Sequence, residues 1–417
     1  MPINKMAARM IVQCDWDEAL RESEGHAWIS FNKIGQPSVQ GELKSQGVNA
    51  NNIPVVVASE GFRVDAVSEV GQRSQPQYGT WTCSEDDCLK KSLVVTYTDE
   101  PITAKFISPA KDYQGLHNKS IVSVDVSSGG ALGVSAADDG KLLVWQTSDG
   151  AVRREFKGHV GDVNCCQFFP SGVVVLSGGS DMQLKIWSVE DGSCPVTLRG
   201  HTAGITDTAI VDKGRNIVSC ARDGMAKLWD CGRSACLDTV AKCGCPINGC
   251  NIGVANNAVN LGTPQNSQSE REIGTEGKLL LLAREDGVLQ GIGLHSRQSV
   301  FEFNGSAAFN CCASLSSTHV IGGTQDGHIY ILDIRNTSAP YREIQKSRSP
   351  VLCLLSHNNR FIASTGDGTC YSVNPENMNQ TEEFTGPDCD PVYGLAVHNE
   401  TLYTACRDMH IRKYAMS

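Results

Sequence analysis

Long hydrophobic runs are missing from this 417-residue chain. No stretch approaches the roughly 18 consecutive apolar residues of a membrane-spanning helix, and the N-terminal segment lacks the apolar core of a secretory signal. Positive charge is also scarce, because 36 basic residues face 46 acidic ones and the net charge is -10. An acidic chain disfavours nucleic acid and anionic membranes and favours basic partners. We therefore expect a cytoplasmic protein, with the nucleus as a second location, that binds neither nucleic acid nor membrane.

Catalytic and metal-binding motifs are absent as well. The sequence contains no GxxxxGKS/T phosphate loop, no HExxH zinc helix and no GxSxG nucleophile turn in a suitable context. Its densest cysteine cluster is unlike the paired CxxC spacing of structural zinc. That cluster is Cys231, Cys236, Cys243, Cys245 and Cys250. We predict no catalytic residues, no cofactor and no metal, and we expect the 18 cysteines to be reduced thiols.

A repeated pattern occupies about three quarters of the chain. In each copy an aspartate opens a tight turn, and an apolar or aromatic residue follows six positions later. The turn aspartates are Asp139, Asp181, Asp223, Asp286, Asp326, Asp367 and Asp408, separated by 42, 42, 63, 40, 41 and 41 residues. Short β-prone runs such as VNCCQF and VVVLSG lie between turns. The seven turns predict seven units, and a third run such as LKIW with a fourth such as AVRREF predicts four strands in each.

Three copies also share a histidine, a serine and a tryptophan at identical spacing from the turn aspartate. The sets are His117, Ser135, Asp139 and Trp145; His159, Ser177, Asp181 and Trp187; and His201, Ser219, Asp223 and Trp229. Serine, histidine and aspartate together suggest a hydrolase, but a nucleophile site should occur once and this set occurs three times. We predict a structural role, in which the four side chains form a buried hydrogen-bond chain that pins the turn to the strands.

The first ninety residues carry none of this period. Residues 15–24 predict a short helix with Asp15 as its N-cap, and the runs WISF, GELKS and IPVVVAS predict strands. The polar segment at residues 72–80 contains Pro and Gly and is typical of a linker. We predict a small α+β domain over residues 1–90 and a repeat domain over residues 91–417.

Two departures from the regular period carry further predictions. The last copy ends after its third strand, so another segment must complete it, and we predict that residues near 103–107 do so and close the ring. The 63-residue interval holds a polar insertion at residues 263–277, between the first two strands of the fourth unit. We expect a flexible excursion, with residues 270–272 as a candidate partner contact on the face opposite the turn aspartates.

Candidate binding residues lie in the loops that share the face of the turn aspartates in a ring of such units. Those that precede the turn aspartates are Asp138, Arg222, Glu285 and Arg407, and those in the entry loops are Asp162, Asp388 and Asp390. The acidic side is expected around Asp388 and Asp390, extended by Glu382 and Glu383. Clustered charge on a rigid surface governs encounter rate and specificity with a protein partner.

The period, the GH and DG dipeptides and the tryptophans resemble the WD40 repeat, whose units each form one blade of a β-propeller. This resemblance implies an all-β fold, a seven-bladed WD40 β-propeller, preceded by the small α+β domain. A closer likeness includes the non-repeat region. The segments that carry it, and that resemble the proteasomal ATPase-associated factor family, are CDWDEALRESEGHAWIS, IPVVVASEGF, VNCCQFFPSGVVVLSGGSD, TAIVDKGRNIVSCARDG, LWDCGRSAC and CDPVYG.

Membership of that family implies a non-enzymatic protein that binds ATPase subunits of the proteasome regulatory particle through their C-terminal domains. It also implies an assembly chaperone that restrains premature docking on the proteolytic core, with acidic propeller residues facing a basic region of the ATPase. Asp388 and Asp390 match that expectation, whereas Arg222 and Arg407 on the same face leave the patch undefined. We expect a monomer. The alternative is a substrate receptor of a ubiquitin ligase or another signalling scaffold, which an arginine-rich phosphopeptide pocket would favour.

Overall fold

The computed structural model describes residues 5–6, 8–22, 24–49, 53–70, 90–100, 102–256, 259–264 and 269–416. These ranges consist almost entirely of strands and turns. No helix within them is long and apolar enough to cross a membrane. The linker that we predict at residues 72–80 lies outside the described residues.

Strands dominate the N-terminal region. The elements are β1 Lys5–Met6, β2 Ala8–Val12, α1 Trp16–Ala19, β3 His26–Lys33, β4 Val39–Val48, β5 Pro54–Ala58, β6 Phe62–Val70, β7 Lys90–Tyr97 and β8 Ile102–Ile107. Strands β2 to β5 form one antiparallel sheet in chain order. Two of the three runs that we predicted to be strands lie within β3 and β4, and the third, IPVVVAS, extends one residue beyond β5 at each end.

The predicted helix over residues 15–24 is wrong in length. α1 is a single turn of four residues, and the side chain of Asp15 makes no capping hydrogen bond. Trp16 and Leu20 are both buried in the core that this sheet shares with β7 and β8. Tertiary packing of these two side chains orders the turn, whereas the charged Arg21 and Glu22 that follow provide no apolar face to extend it.

Seven sheets, one for each copy of the repeat, contain four antiparallel blade strands each. After β9 Lys111–Tyr113, blades one to three are β10 Ile121–Val126, β11 Leu132–Ala137, β12 Leu142–Gln146, β13 Val152–Phe156; β14 Val163–Phe168, β15 Val174–Gly179, β16 Gln183–Ser188, β17 Val196–Arg199; and β18 Ile205–Val211, β19 Asn216–Ala221, β20 Met225–Asp230, β21 Ala235–Lys242. Blades four and five are β22 Ile247–Val254, β23 Lys278–Arg284, β24 Val288–Gly293, β25 Ser299–Asn304; and β26 Phe309–Ser314, β27 His319–Thr324, β28 Ile329–Asp333, β29 Arg342–Ile344. Blade six is β30 Val351–His357, β31 Arg360–Thr365, β32 Cys370–Asn374, β33 Asn377–Phe384, and blade seven begins with β34 Val392–His398, β35 Thr401–Cys406, β36 Ile411–Ala415. The predicted seven-bladed propeller is confirmed.

Adjacent blades are tied together at their innermost strands. Each of these strands has a β-bulge directly after its first residue. In four blades the bulged side chain donates a hydrogen bond to a backbone carbonyl of the next blade. The bonds are Asn164 to Ile205 at 2.6 Å, Thr206 to Ile247 at 2.6 Å, Asn248 to Phe309 at 2.9 Å and Asn310 to Val351 at 3.0 Å. They restrain the orientation of one blade relative to the next.

The predicted closing strand at residues 103–107 is wrong. Blade seven is completed by β9, which pairs antiparallel with β36 from Lys111 opposite Lys413 to Tyr113 opposite Ile411. Tyr113 is buried and its ring centroid lies 4.9 Å from that of Trp145 in blade one. The ring is therefore closed by a strand that follows the predicted one and lies immediately before blade one.

Residues 103–107 belong to blade six instead. β8 pairs parallel with β33, from Thr103 opposite Gln380 to Ile107 opposite Phe384, and β7 and β6 extend the same sheet to seven strands. The domain boundary expected at residue 90 thus falls between β6 and β7, which pair with each other. β1 also pairs parallel with β29 of blade five, so the N-terminal region covers two outer edges of the propeller.

Candidate functional site

The residues that precede the seven turn aspartates lie on one face of the ring. The backbone N–H of each donates to a carbonyl in the loop that enters the first strand of the same blade, with N to O distances of 2.9 to 3.0 Å. The pairs are Asp138 to Ser120, Ser180 to Asp162, Arg222 to Gly204, Glu285 to Pro246, Gln325 to Ala308, Gly366 to Pro350 and Arg407 to Pro391. Turn and entry loop therefore share one face in every blade, which we call the upper face.

The predicted four-residue hydrogen-bond chain is present in blades two and three. In blade two Trp187 Nε1 donates to Ser177 Oγ at 2.8 Å, His159 Nε2 lies 2.7 Å from the same oxygen, and His159 Nδ1 lies 3.0 Å from Asp181. Blade three repeats the chain at 2.8 Å throughout with Trp229, Ser219, His201 and Asp223. The serine oxygen is thus held between an indole and an imidazole in the core, and the hydrogen-bond chain links the turn to the strands.

The chain stops at the histidine in blade one. His117 Nε2 lies 2.7 Å from Ser135 Oγ, and Trp145 Nε1 donates to that oxygen at 3.2 Å. His117 Nδ1 is buried and has no hydrogen-bond partner among the described residues, so Asp139 does not join the chain. Burial lowers the pKa of His117 to about 4, and its imidazole is therefore neutral at pH 7.

Blade one also differs from blades two and three in the glycine that packs against the tryptophan ring. In blades two and three the residue before the histidine is Gly158 or Gly200, and a Cβ there would lie 3.1 or 3.2 Å from the indole. Blade one has Leu116 at that position. Its indole lies over Gly133 instead, where a Cβ would overlap the Trp145 ring. The glycine next to the indole therefore occupies a different position in blade one, although the spacing of the four chain residues is unchanged.

Two exposed acids of neighbouring blades lie close enough on the upper face for their charges to repel each other. Asp138 belongs to the turn of blade one and Asp162 to the entry loop of blade two. Partial burial raises the pKa of Asp138, and the carboxylate of Asp162 raises it further. A nearby carboxylate raises a pKa because two like charges repel. An approaching cation would relieve that repulsion, so this pair is suited to a basic partner.

Blade seven continues the charged surface next to this pair. Arg407 Nη2 lies 2.8 Å from Asp390 Oδ1, so part of the charge of Asp390 is already neutralised. Burial raises the pKa of Tyr393, Arg407 lowers it, and Asp138 and Asp390 raise it further. Tyr393 therefore lies near all three charged groups. Blades seven, one and two therefore each contribute an acid to one sector of the upper face, in which Arg407 also lies. We call it the acidic sector and define it as Asp390, Asp138 and Asp162.

The remaining predicted residues do not join the acidic sector. Asp388 is exposed beside the N-terminal sheet and lines a cavity with Arg9 and Cys14. Glu285 of blade four accepts a hydrogen bond from Asn248 at 2.6 Å. Arg222 of blade three is exposed.

Two acids that we expected on the surface are buried. Glu382 and Glu383 lie in β33, where Glu382 is 3.2 Å from Arg360 and Glu383 is 2.5 Å from Lys346. Both carboxylates are committed to ion pairs at the outer edge of blade six. The proposed extension of the acidic side by these two residues is therefore wrong.

Sequence reasoning missed two aspartates in the central channel. Asp125 and Asp207 line a cavity of about 320 Å³ formed by the innermost strands. Asp125 accepts the N–H of Phe168 at 2.6 Å and Asp207 accepts that of Cys250 at 3.0 Å, each in the next blade. Burial raises the pKa of both carboxyl groups to about 6. An acid within a strand that is otherwise rich in β-branched apolar residues, as in IVSVDV, is the sequence signal that would have found Asp125.

Asp207→Asn is expected to raise the free energy of unfolding by about 1 to 3 kcal/mol at pH 7.5. Asparagine keeps the oxygen that accepts the Cys250 N–H and removes a charge that burial disfavours. The folded pKa of about 6 exceeds the ordinary aspartate pKa of 3.8. The stability that protonation of Asp207 contributes is therefore complete below about pH 4 and is lost as pH rises through 6. The advantage of the variant should therefore be largest above pH 7 and vanish below pH 4 in urea unfolding.

Asp149→Asn provides the matched control, since Asp149 also accepts a backbone N–H but is exposed. It should change the free energy of unfolding by less than about 0.5 kcal/mol at any pH. A gain for Asp207→Asn that does not depend on pH would contradict the assignment.

The described part of the insertion is anchored opposite the upper face. Arg297 lies 2.6 Å from Glu272 and 2.9 Å from Asp238, and Ile273 N–H donates to Asn216 Oδ1 at 2.7 Å. The Glu272 side chain is only 2% exposed. The predicted flexible excursion is thus wrong for residues 269–277, while residues 265–268 lie outside the described residues.

Cysteines and metal ligands are scattered in the described part of the chain. Every cysteine there is a free thiol, and no three His, Cys, Asp or Glu residues in it form a group suited to a metal ion. Burial raises the pKa of Cys166 and Cys231 to about 12, which disfavours the reactive thiolate.

Comparison with known proteins shows two levels of similarity. The family model described as WD domain, G-beta repeat matches residues 113–146, 150–188 and 192–230, the same three blades that carry the histidine, serine and tryptophan set. The chain is also 54% identical to "Proteasomal ATPase-associated factor 1" of Gallus gallus over 411 residues, which covers 99% of each chain. The Homo sapiens protein of the same name is 54% identical over 412 residues, 99% of this chain and 100% of that one.

Similarity extends to a distant organism. A Dictyostelium discoideum protein named "Probable proteasomal ATPase-associated factor 1" is 37% identical over 425 residues, covering 97% of this chain and 95% of its own length. The alignments include the N-terminal sheet as well as the repeats.

Proposed function

Because the chain belongs to the proteasomal ATPase-associated factor 1 family, we propose that it is a non-enzymatic protein that binds ATPase subunits of the proteasome regulatory particle. The finer proposal is that it acts as an assembly chaperone. In this role it holds the C-terminal domain of one ATPase subunit and restrains premature association of the particle with the proteolytic core.

The acidic sector on the upper face carries this proposal. Asp138 and Asp162 are exposed, belong to neighbouring blades and repel each other. The backbone hydrogen bonds between turn and entry loop hold them on a rigid surface, so little conformational entropy is lost when a basic surface docks. Complementary charge raises the association rate and suppresses wrong partners.

Steric exclusion supplies the second half of the mechanism. The upper face is a broad ring, and a partner domain seated on the sector of blades seven, one and two lies against one side of it. The remaining blades then project beside the bound domain and block surfaces that other proteins would contact later. This mechanism requires no bond making or breaking and uses no catalytic residue of the chain.

Charge reversal in the acidic sector should weaken binding to the ATPase. The Asp138→Lys, Asp162→Lys double variant is expected to bind at least about tenfold more weakly in buffer of about 50 mM ionic strength, and the difference should shrink as salt screens the charges. Isothermal titration calorimetry with purified C-terminal domains of the ATPase subunits measures the affinity. Reversal at Asp388 and Asp390 is expected to weaken it less, because Asp390 is already paired with Arg407.

Glu190→Lys is the matched control for this experiment. Glu190 is exposed in the turn between β16 and β17, on the opposite face of blade two, so this reversal, which changes the net charge half as much as the double variant, should leave the affinity unaltered. A loss of binding free energy in the control that reaches half of that in the double variant would reduce the effect to net charge and overturn the acidic sector as the binding site.

The alternative is a substrate receptor of a ubiquitin ligase, but the described residues of the upper face form no arginine pocket. Arg222 and Arg407 lie in different blades, and Arg407 is occupied by Asp390. Affinity purification of the tagged full-length chain from cell extract separates the two functions. ATPase subunits among the captured proteins support the proposal, and ligase adaptors without them overturn it.

A further inference from the structure

A groove separates the N-terminal sheet from the upper face of the propeller. One wall is strand β2 with the residues that follow it, from Arg9 to Cys14, and the other is the loop at residues 385–389 that joins blades six and seven. The cavity between them is about 200 Å³, and Trp28 lies at its rim with 47% of its surface exposed. The groove is distinct from the acidic sector in blades seven, one and two.

Strand β2 presents an open edge to this groove. Among the described strands it pairs with β3 alone. Gln13 N–H donates to the Trp28 carbonyl at 3.1 Å, and in an antiparallel pair alternate residues face the partner strand. The backbone N–H and C=O groups of Met10 and Val12 therefore point away from β3, toward the groove. Unpaired backbone groups along a strand edge are a template for an added strand.

The charge available in the groove is negative. Arg9 is occupied, because its Nη1 lies 2.9 Å from Asp367 and 2.7 Å from Thr369 Oγ1. Asp388 is exposed, and no hydrogen bond or ion pair engages its carboxylate within the described ranges. Its charge acts on the neighbouring Cys14, whose pKa is raised by burial, by Asp15 and by Asp388.

Apolar surface accompanies this charge. Ile11 is half-buried on the outer side of β2. The exposed Trp28 side chain lies on the adjacent strand β3, and the Trp28 carbonyl accepts the Gln13 N–H. An extended segment laid along β2 would contact these side chains with one row of its residues and the 385–389 loop with the other row.

We propose that this groove binds an extended segment of a partner protein, which adds to β2 as a further strand. The segment alternates apolar and basic residues, with its apolar row on Ile11 and Trp28 and a basic side chain facing Asp388. The complementarity of that basic residue with Asp388, in a chain of net charge -10, selects this occupant over an acidic segment. The contact is independent of the acidic sector and supplies a second site on the same protein.

The test uses the full-length chain and a defined probe, a capped ten-residue peptide of alternating valine and lysine. Amide hydrogen exchange, resolved by residue, should show at least tenfold slower exchange of the Met10 and Val12 amides when the peptide is bound, with the Ile11 amide unchanged. Fluorescence anisotropy of the labelled peptide gives the affinity. Binding without protection of these two amides would overturn the proposal, as would absence of binding.

Peptide variants test whether the backbone makes the contact. Two versions are N-methylated at every second residue, one at the valines and one at the lysines. In an added strand only one set of amides faces β2, so one version should lose binding and the other should keep it. Equal affinity of the two methylated peptides would show that backbone pairing is not involved and would contradict the proposal.

Protein variants locate the site. Asp388→Lys should weaken peptide binding at least tenfold, whereas Glu190→Lys and the Asp138→Lys, Asp162→Lys double variant should leave it unchanged. Equal effects of all three would mean that the peptide follows net charge, against the proposal. Protection of Met10 and Val12 that rises with protein concentration in the absence of peptide, together with a dimer in analytical ultracentrifugation, would identify a second copy of the chain as the occupant and likewise overturn it.

Discussion

Replacing Trp187 with alanine is expected to lower the free energy of unfolding by about 3 to 5 kcal/mol. The indole is 1% exposed, its ring centroid lies 5.1 Å from that of Phe156, and its Nε1 donates to Ser177 Oγ at 2.8 Å. Alanine leaves a cavity in blade two and removes the donor to a buried oxygen. Urea unfolding followed by circular dichroism measures the loss.

Trp187→Phe separates the cavity from the hydrogen bond. Phenylalanine fills much of the volume but cannot donate, so it should cost about 1 to 2 kcal/mol. Val173→Ala is the control, because Val173 lies in the same blade and is 57% exposed, and it should change stability by less than about 0.5 kcal/mol. A Trp187→Ala protein as stable as this control would show that the hydrogen-bond chain does not hold the blade together.

Lys346→Ala should destabilise the protein by about 3 to 5 kcal/mol. Lys346 Nζ lies 2.5 Å from Glu383 Oε1, and the two side chains are only 2% and 6% exposed. The ammonium also lies 3.9 Å from the centroid of the Tyr371 ring. Its removal leaves the Glu383 carboxylate buried without its cation, with Thr381 Oγ1 as a hydrogen-bond donor at 2.9 Å. Equilibrium urea unfolding at pH 7 measures the change.

A double variant shows whether the unpaired charge causes this loss. Lys346→Met with Glu383→Gln removes both charges and should recover most of the stability lost in the single variant. Lys157→Ala is the exposed control, because Lys157 lies 3.6 Å from Glu155 with 78% of its side chain exposed, and it should cost less than about 0.5 kcal/mol. If the double variant were as unstable as Lys346→Ala, packing and not charge would explain the loss.

The number of blades and the chemistry of their turns were predictable because both are local. Asp181 opens its turn and accepts the Gln183 N–H at 3.3 Å, and Asp223 accepts the Met225 N–H at 3.0 Å. Contacts between residues so close in the chain need no knowledge of the rest of the fold. The same local reasoning failed in blade one, where His117 Nδ1 has no partner among the described residues and Asp139 does not join the chain, although the spacing of the four residues is unchanged.

The acidic sites were only partly predictable, because they depend on which blades become neighbours. The pairing of Asp138 with Asp162 joins the turn of one blade to the entry loop of the next. Glu383 was predicted to be exposed, because a carboxylate in a polar run is typical of a solvated surface. In the structure it is buried against Lys346. Burial and ion pairing of a charge depend on residues far away in the chain.

By itself, the sequence determined the seven sheets, their turn residues and the need for a further strand to complete the last blade. Only the tertiary structure decided which strand that is, since β8 and β9 both precede blade one and both contain β-prone residues. β8 lies against the outer edge of blade six, where it also buries Phe106 and Ala104 against the N-terminal sheet, and this leaves β9 to pair with β36. An open strand edge accepts any strand with suitable backbone geometry, so the choice between partners depends on which apolar side chains each arrangement buries.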